Sequence, residues 1–175
     1  MQRPIVDRPV LPADYGVPES LEQLLPWSHV TERLERAMIY WVGTVRPNGR
    51  PHSSPIWGVW LDETLFFDGS PETRRGKNMS ANPAVSIHIE SGGAGKDVVV
   101  LEGDALQVRG STLDPAFKRR LADQYAAKYL ADCYQPEPDQ WDAGGLYRLQ
   151  LHTVIAWTTF NIDPTRWRFQ GRASA

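Results

Sequence analysis

The run Ile39-Tyr40-Trp41-Val42-Gly43-Thr44-Val45, the turn Pro47-Asn48-Gly49-Arg50 and the return from Ser53 to Trp60 decide how this chain folds. The first run is rich in β-branched and aromatic residues, and Asn-Gly between two such runs is hairpin chemistry. Asp62-Glu63 makes the next turn, and Leu65-Phe66-Phe67 reads as a third strand that stops at Gly69. Three strands in succession predict an antiparallel meander.

Upstream, the first two dozen residues read as an extended arm. Ser20 with Gln23 three residues later has the form of a capping box and predicts a short helix there. A second helix is expected from Ser28, with Val30, Leu34 and Ala37 at helical spacing. Downstream of Gly69, Ser70 and Pro71 suit the start of a helix that Asn82-Pro83 closes. Strand patterning resumes at Val85-Ser86-Ile87-His88-Ile89 and again from Val98 to Val108, where Gly103 marks a bulge or bend. Asp114-Pro115 opens an amphipathic helix with Phe117, Leu121, Tyr125 and Tyr129 on one face. Leu146 to Leu151 and Val154 to Phe160 supply one or two closing strands. The expected class is mainly β: six or so antiparallel strands in a small closed barrel, with a short helix after the third strand and the amphipathic helix before the last. Residues 1–36 form arm and helices and 37–175 the barrel, in one structural domain.

With 175 residues, 41% apolar and 23% charged, the chain is long enough for one real core. A net charge of -2 gives no general attraction to nucleic acid or anionic lipid, so neither is an expected partner. Cys133 is the only cysteine, which fits a reducing compartment and a cytoplasmic location. The proline-interrupted N-terminus holds no signal-type apolar core, and no run approaches membrane-spanning length.

Several motifs fail on inspection. Gly93-Ala94-Gly95-Lys96 lacks the earlier glycine and the following Ser or Thr of a phosphate-binding loop, and it joins two strands. No GxSxG occurs, and His29, His52, His88 and His152 stand alone without metal-ligand spacing, so no metal is expected. The informative stretch is Gly69-Ser70-Pro71-Glu72-Thr73-Arg74-Arg75-Gly76-Lys77-Asn78, which puts three cations at a helix start. Cations there are mildly unfavourable, and a bound phosphate reverses the sign. The competing reading is a solvated basic helix face.

These pieces in their order resemble the pyridoxamine 5'-phosphate oxidase-like superfamily, in particular its flavin- and deazaflavin-dependent oxidoreductases. The resemblance runs from Ala37 to Ala105 through Arg50-Pro51-His52-Ser53-Ser54-Pro55-Ile56-Trp57, Phe66-Phe67-Asp68-Gly69-Ser70, Thr73 to Met79, Asn82-Pro83-Ala84-Val85 and Val100-Leu101-Glu102-Gly103-Asp104-Ala105. It implies a split β-barrel that binds FMN or coenzyme F-420, with the latter slightly favoured. It places the cofactor phosphate near Ser70, Thr73, Arg74, Arg75 and Lys77, with Asn78 either a contact or a cap. It lays the ring along Ser53, Ser54, Pro55, Ile56 and Trp57. It further implies a homodimer whose partner completes the pocket, with Trp157, Trp167 and Arg168 as contributors. Relatives often carry Lys where Arg75 stands, and the substrate motif of authentic pyridoxamine-phosphate oxidases is missing at the C-terminus. The expected function is hydride transfer to a small acceptor. The alternative is a non-catalytic protein that stores a flavin, deazaflavin or haem.

Overall fold

The computed structural model describes residues 4–169. The hairpin forms as its sequence dictates: β2 (Tyr40–Val45) and β3 (Pro51–Ile56) pair antiparallel from Tyr40↔Ile56 to Val45↔Pro51. Gly49, at φ 78°, supplies the left-handed residue of the turn. The return run does not continue to Trp60 as one strand. It breaks at Trp57, and β4 (Gly58–Leu61) turns away to pair with β5 (Thr64–Asp68). The Tyr129 hydroxyl accepts from Gly58 N and donates toward its carbonyl, both at 2.9 Å, occupying backbone groups at the break. Asp62 and Glu63, both at positive φ, join β4 to β5 in the tight two-residue turn that suits strand twist.

The remaining strands are β6 (Ala84–Glu90), β7 (Val98–Val108), β8 (Leu146–Trp157) and β9 (Thr165–Arg168), with β1 (Ile5–Asp7) at the N-terminal end. They lie in the order β1-β9-β8-β7-β6-β2-β3, with β5 and β4 branching from β8, and every pair is antiparallel. The fork in β8 makes the architecture: its first residues pair with β5 and Thr153–Ala156 pair with β9. The result is a split barrel in which the described residues form nine strands, more than the six or so expected, and the sheet does not close. β3 ends the path with Pro51 and Pro55, which have no N–H to offer a further strand. Of the one or two closing strands expected, the chain forms one, the continuous β8. Gly103 is at the predicted bulge, where the β7–β8 register shifts and a Cβ would collide with the Gln150 carbonyl oxygen.

Among the described residues three α-helices pack on this sheet: α1 (Trp27–Arg36), α2 (Arg74–Ala81) and α3 (Pro115–Lys128). The Ser20 helix is absent. Ser20 Oγ accepts from Glu22 N two residues on, and Gln23 sits at φ 60°, so the segment turns instead. One core gathers Tyr40, Val42, Ile56, Phe67, Ile87 and Leu101 under α1's Val30 and Leu34. A second packs α3's Leu121, Tyr125 and Tyr129 on Val59, Phe66, Trp141 and Leu146, as the stripe predicted, with Phe117 at its margin. No helix among the described residues is long and apolar enough to cross a membrane. The arrangement brings the end of β3, the end of β5 and the start of α2 to one place.

Candidate functional site

That place is built around Gly69. Helix α2 begins at Arg74, later than the Ser70-Pro71 pattern predicts, because Thr73 outcompetes Ser70 for the cap. Thr73 Oγ1 accepts from Gly76 N at 3.1 Å and donates to the Ser70 carbonyl at 2.8 Å, whereas Ser70 Oγ only accepts from Glu72 N at 3.2 Å. Arg74 and Arg75 therefore hold the first two helical positions, with no acid in the first turn. Among the described residues neither is paired with a carboxylate. The Arg75 guanidinium lies across Gly69 and donates to the Asp68 carbonyl at 3.3 Å. A Cβ on Gly69, whose φ is 152°, would collide with it.

Arg75 faces a groove of about 450 Å³ whose wall is Pro55, Ile56 and Trp57 at the end of β3, with Ile39 and Tyr134 across from them. The groove continues past Asp68 and Gly69 into a second hollow beside Ser70 and Gln140. Trp57 is fixed by stacking on Tyr129, with centroids 4.7 Å apart and planes at 13°, and by the edge of Tyr134 at 5.4 Å. Helix α3 is thus core-facing as predicted, yet its last turn stands one ring behind the groove.

Asp68 is the acid of the groove. Its Oδ2 accepts from the Tyr134 hydroxyl and from Trp141 Nε1 at 3.4 Å, while Gln140 donates to the Tyr134 oxygen at 2.7 Å. Burial raises its pKa above the ordinary carboxylate value, outweighing those two donors and the nearby Arg75 charge. Burial, and then the Asp68 carboxylate, also push the Tyr134 phenol up.

The other predicted residues separate into two groups. Ser53 is exposed on the outer face of β3, while Ser54 points inward and its Oγ is buried without a partner. His52 Nδ1 and Asn78 Oδ1 are buried and unpartnered as well. Asn78 donates to Thr44 Oγ1 at 2.9 Å, which ties α2 to β2. Lys77 leaves the groove: it pairs with Glu72 at 3.2 Å and lines a different hollow, with Met79 and Tyr147. The three C-terminal residues do not join the groove of this chain. Trp167 is 1% exposed in the core against Trp27, and so has no surface to offer a second copy. Trp157 donates to the Gly95 carbonyl at 2.7 Å, and Arg168 to Asp7 at 2.8 Å. Sequence reading missed Asp68, Gly69, Ile39 and Tyr134 as groove residues. Asp68-Gly69 lay in the stretch that carries the resemblance, beside the cation cluster, but was assigned no place in the groove.

Comparison with known proteins agrees with this geometry. No curated protein sequence matches the chain significantly. Among solved structures, a conserved hypothetical protein of Mycobacterium tuberculosis superposes with a TM-score of 0.64 at 19% identity, covering 79% of this chain and 88% of that one. An F-420 reductase matches with a TM-score of 0.53 at 26% identity, over 70% of this chain and 93% of that one. A FAD-binding protein of Mesorhizobium loti gives 0.55 at 19% identity, over 83% and 96%. The family model for pyridoxamine 5'-phosphate oxidase matches residues 27–171, from the first turn of α1 to beyond β9. A match of that extent, on a split barrel, makes this chain a member of the pyridoxamine 5'-phosphate oxidase family.

Proposed function

We propose that the groove binds a flavin-type cofactor, coenzyme F-420 in preference to FMN, and that the protein is an oxidoreductase using it. The observation that carries this reading is Arg75, a groove-facing cation at a helix start with no carboxylate partner among the described residues. The residues fit such a group on two further counts. Gly69 leaves the guanidinium room to lie flat toward an anion, and Pro55, Ile56 and Trp57 give the groove an apolar wall beside it. The 26% identity to an F-420 reductase supports the deazaflavin over FMN.

The bound cofactor supplies hydride chemistry, and the chain supplies position and electrostatics. Arg75 and the first N–H groups of α2 hold the phosphate. Trp57, fixed by Tyr129, gives a rigid apolar wall. Titration with FMN, FAD, coenzyme F-420 and haem, followed by absorbance, tests the reading: F-420 should bind tightest, and Arg75→Ala should weaken it.

A second copy of this chain completes the site. Met38, Ile39 and Trp41 are each more than 40% exposed next to the open side of the groove, and Ile39 lines both the groove and this apolar face. Sedimentation should give twice the chain mass, and Trp41→Asp should shift it toward one.

A further inference from the structure

Asp68 is a carboxyl on the wall of the groove, held from behind by two donors. Both reach the same atom: Oδ2 accepts from Tyr134 and from Trp141, and Oδ1 receives neither. An oxygen already accepting two hydrogen bonds is the poorer place for a proton, so the acid form carries it on Oδ1. A protonated carboxyl of this kind is a donor at the groove, and the two bonds at Oδ2 stabilise the anion once the proton has gone.

We propose that Asp68 is the proton donor for the reaction in the groove, with Tyr134 and Trp141 holding the carboxylate that remains. The assignment rests on the cofactor reading given above. A hydride from the reduced flavin or deazaflavin forms a bond to one end of an electron-poor double bond of the acceptor. The π pair moves to the other end, which takes the proton as the Asp68 O–H bond breaks and leaves its electron pair on Asp68. The cofactor is oxidised by two electrons and the acceptor is reduced by two. The groups facing Asp68 are Arg75 from α2, Tyr125 and Tyr129 from α3, and Tyr134 and Trp141 from the segment after it. Arg75 is the only one of them charged at neutral pH. Loss of the acid form as pH rises therefore lowers the rate.

The test uses the purified full chain, Asp68→Asn and Tyr134→Phe. Carboxyl carbon NMR of the protein as purified should show one aspartate titrating above the others, missing in Asp68→Asn and moved further up in Tyr134→Phe, which lacks the hydroxyl that stabilises the anion. In protein loaded with the reduced form of whichever of FMN or F-420 binds, menadione reduction should fall with rising pH. Asp68→Asn should lose this fall and about a hundredfold in kcat, with cofactor affinity changed less than twofold. An Asp68 resonance that titrates with the rest and ignores Tyr134→Phe, loaded protein that does not reduce menadione, or an unchanged alkaline fall in Asp68→Asn would each overturn the role while cofactor binding stood. Failure to bind either cofactor would overturn the cofactor reading and this role together.

Discussion

The starts of α2 and α3 solve the same problem in opposite ways. At α3 an aspartate caps the helix: Asp114 Oδ1 accepts from Ala116 N at 3.0 Å and Phe117 N at 3.1 Å, and Pro115 fills the first position, where no N–H is needed. The partial positive charge of that helix end meets a carboxylate, and the end is complete within the chain. At α2 the cap is the neutral Thr73, and the next two residues are arginines. Positive side chains stand on a positive helix end with no acid in the first turn. A helix that keeps such an end exposed at the mouth of a groove is suited to an anion from outside.

Changes at the two helices and at Lys128 break or sharpen this contrast. The largest effect is expected at α3, where Leu121 is fully buried. Leu121→Ala should cost about 2 to 5 kcal/mol of stability in denaturant unfolding, with cofactor affinity of the folded fraction kept. At α2, Arg75→Ala should do the reverse. It should lose a charge-assisted contact of about 1.5 to 3 kcal/mol, a ten- to hundredfold weaker cofactor by titration, while the unliganded protein is unharmed or slightly stabilised. Arg74 is exposed and does not line the groove, so Arg74→Ala should weaken binding less, and the double change should nearly abolish it. Third, Asp114→Ala should lower the melting temperature through loss of about 1 kcal/mol, and Thr73→Ala should act similarly on α2.

The smallest effect is in the pH profile. Lys128 Nζ donates to Tyr40 Oη at 2.9 Å and to the Gly58 carbonyl at 3.0 Å, and burial pushes its pKa down to about 8. Between that value and its ordinary 10.5 the unfolded chain binds the extra proton, so this group makes stability rise with pH above 8. The buried tyrosines, whose pKa values are raised, act oppositely above about pH 10 because their unfolded forms ionise first. Urea unfolding at pH 8 and pH 9.5 should show the rise, and Lys128→Met should flatten it.

Much of this was legible in the sequence, and what was not has a common cause. The β2–β3 hairpin and α3 are set by residues close in the chain, an Asn-Gly turn, a cap and a stripe four apart, and the bulge is signalled by Gly103 itself, a glycine inside a strand run. The break at Trp57 is not local. It depends on Tyr129, 71 residues from Gly58, whose hydroxyl takes the backbone groups of the break. The fork of β8 likewise depends on where β5 and β9 arrive. In the site, Arg75 could be marked by residue type and spacing, and Trp57 by the resemblance to the family. Their pairing with Asp68 and Tyr134 could not: Asp68 lies in a stretch that carries the resemblance but is marked there for no role, Tyr134 lies in none, and the two meet across 66 residues.

The grip of Tyr129 on Gly58 also has a consequence for local opening. The Gly58 amide is bonded to the phenol of Tyr129, the residue that ends α3. Its hydrogen can exchange with solvent only when the end of α3 lifts, and lifting it also takes the stacked ring from behind Trp57. The exchange rate of that one amide therefore reports how often the groove loses its wall, and a ligand seated on Trp57 should slow it in proportion to its occupancy.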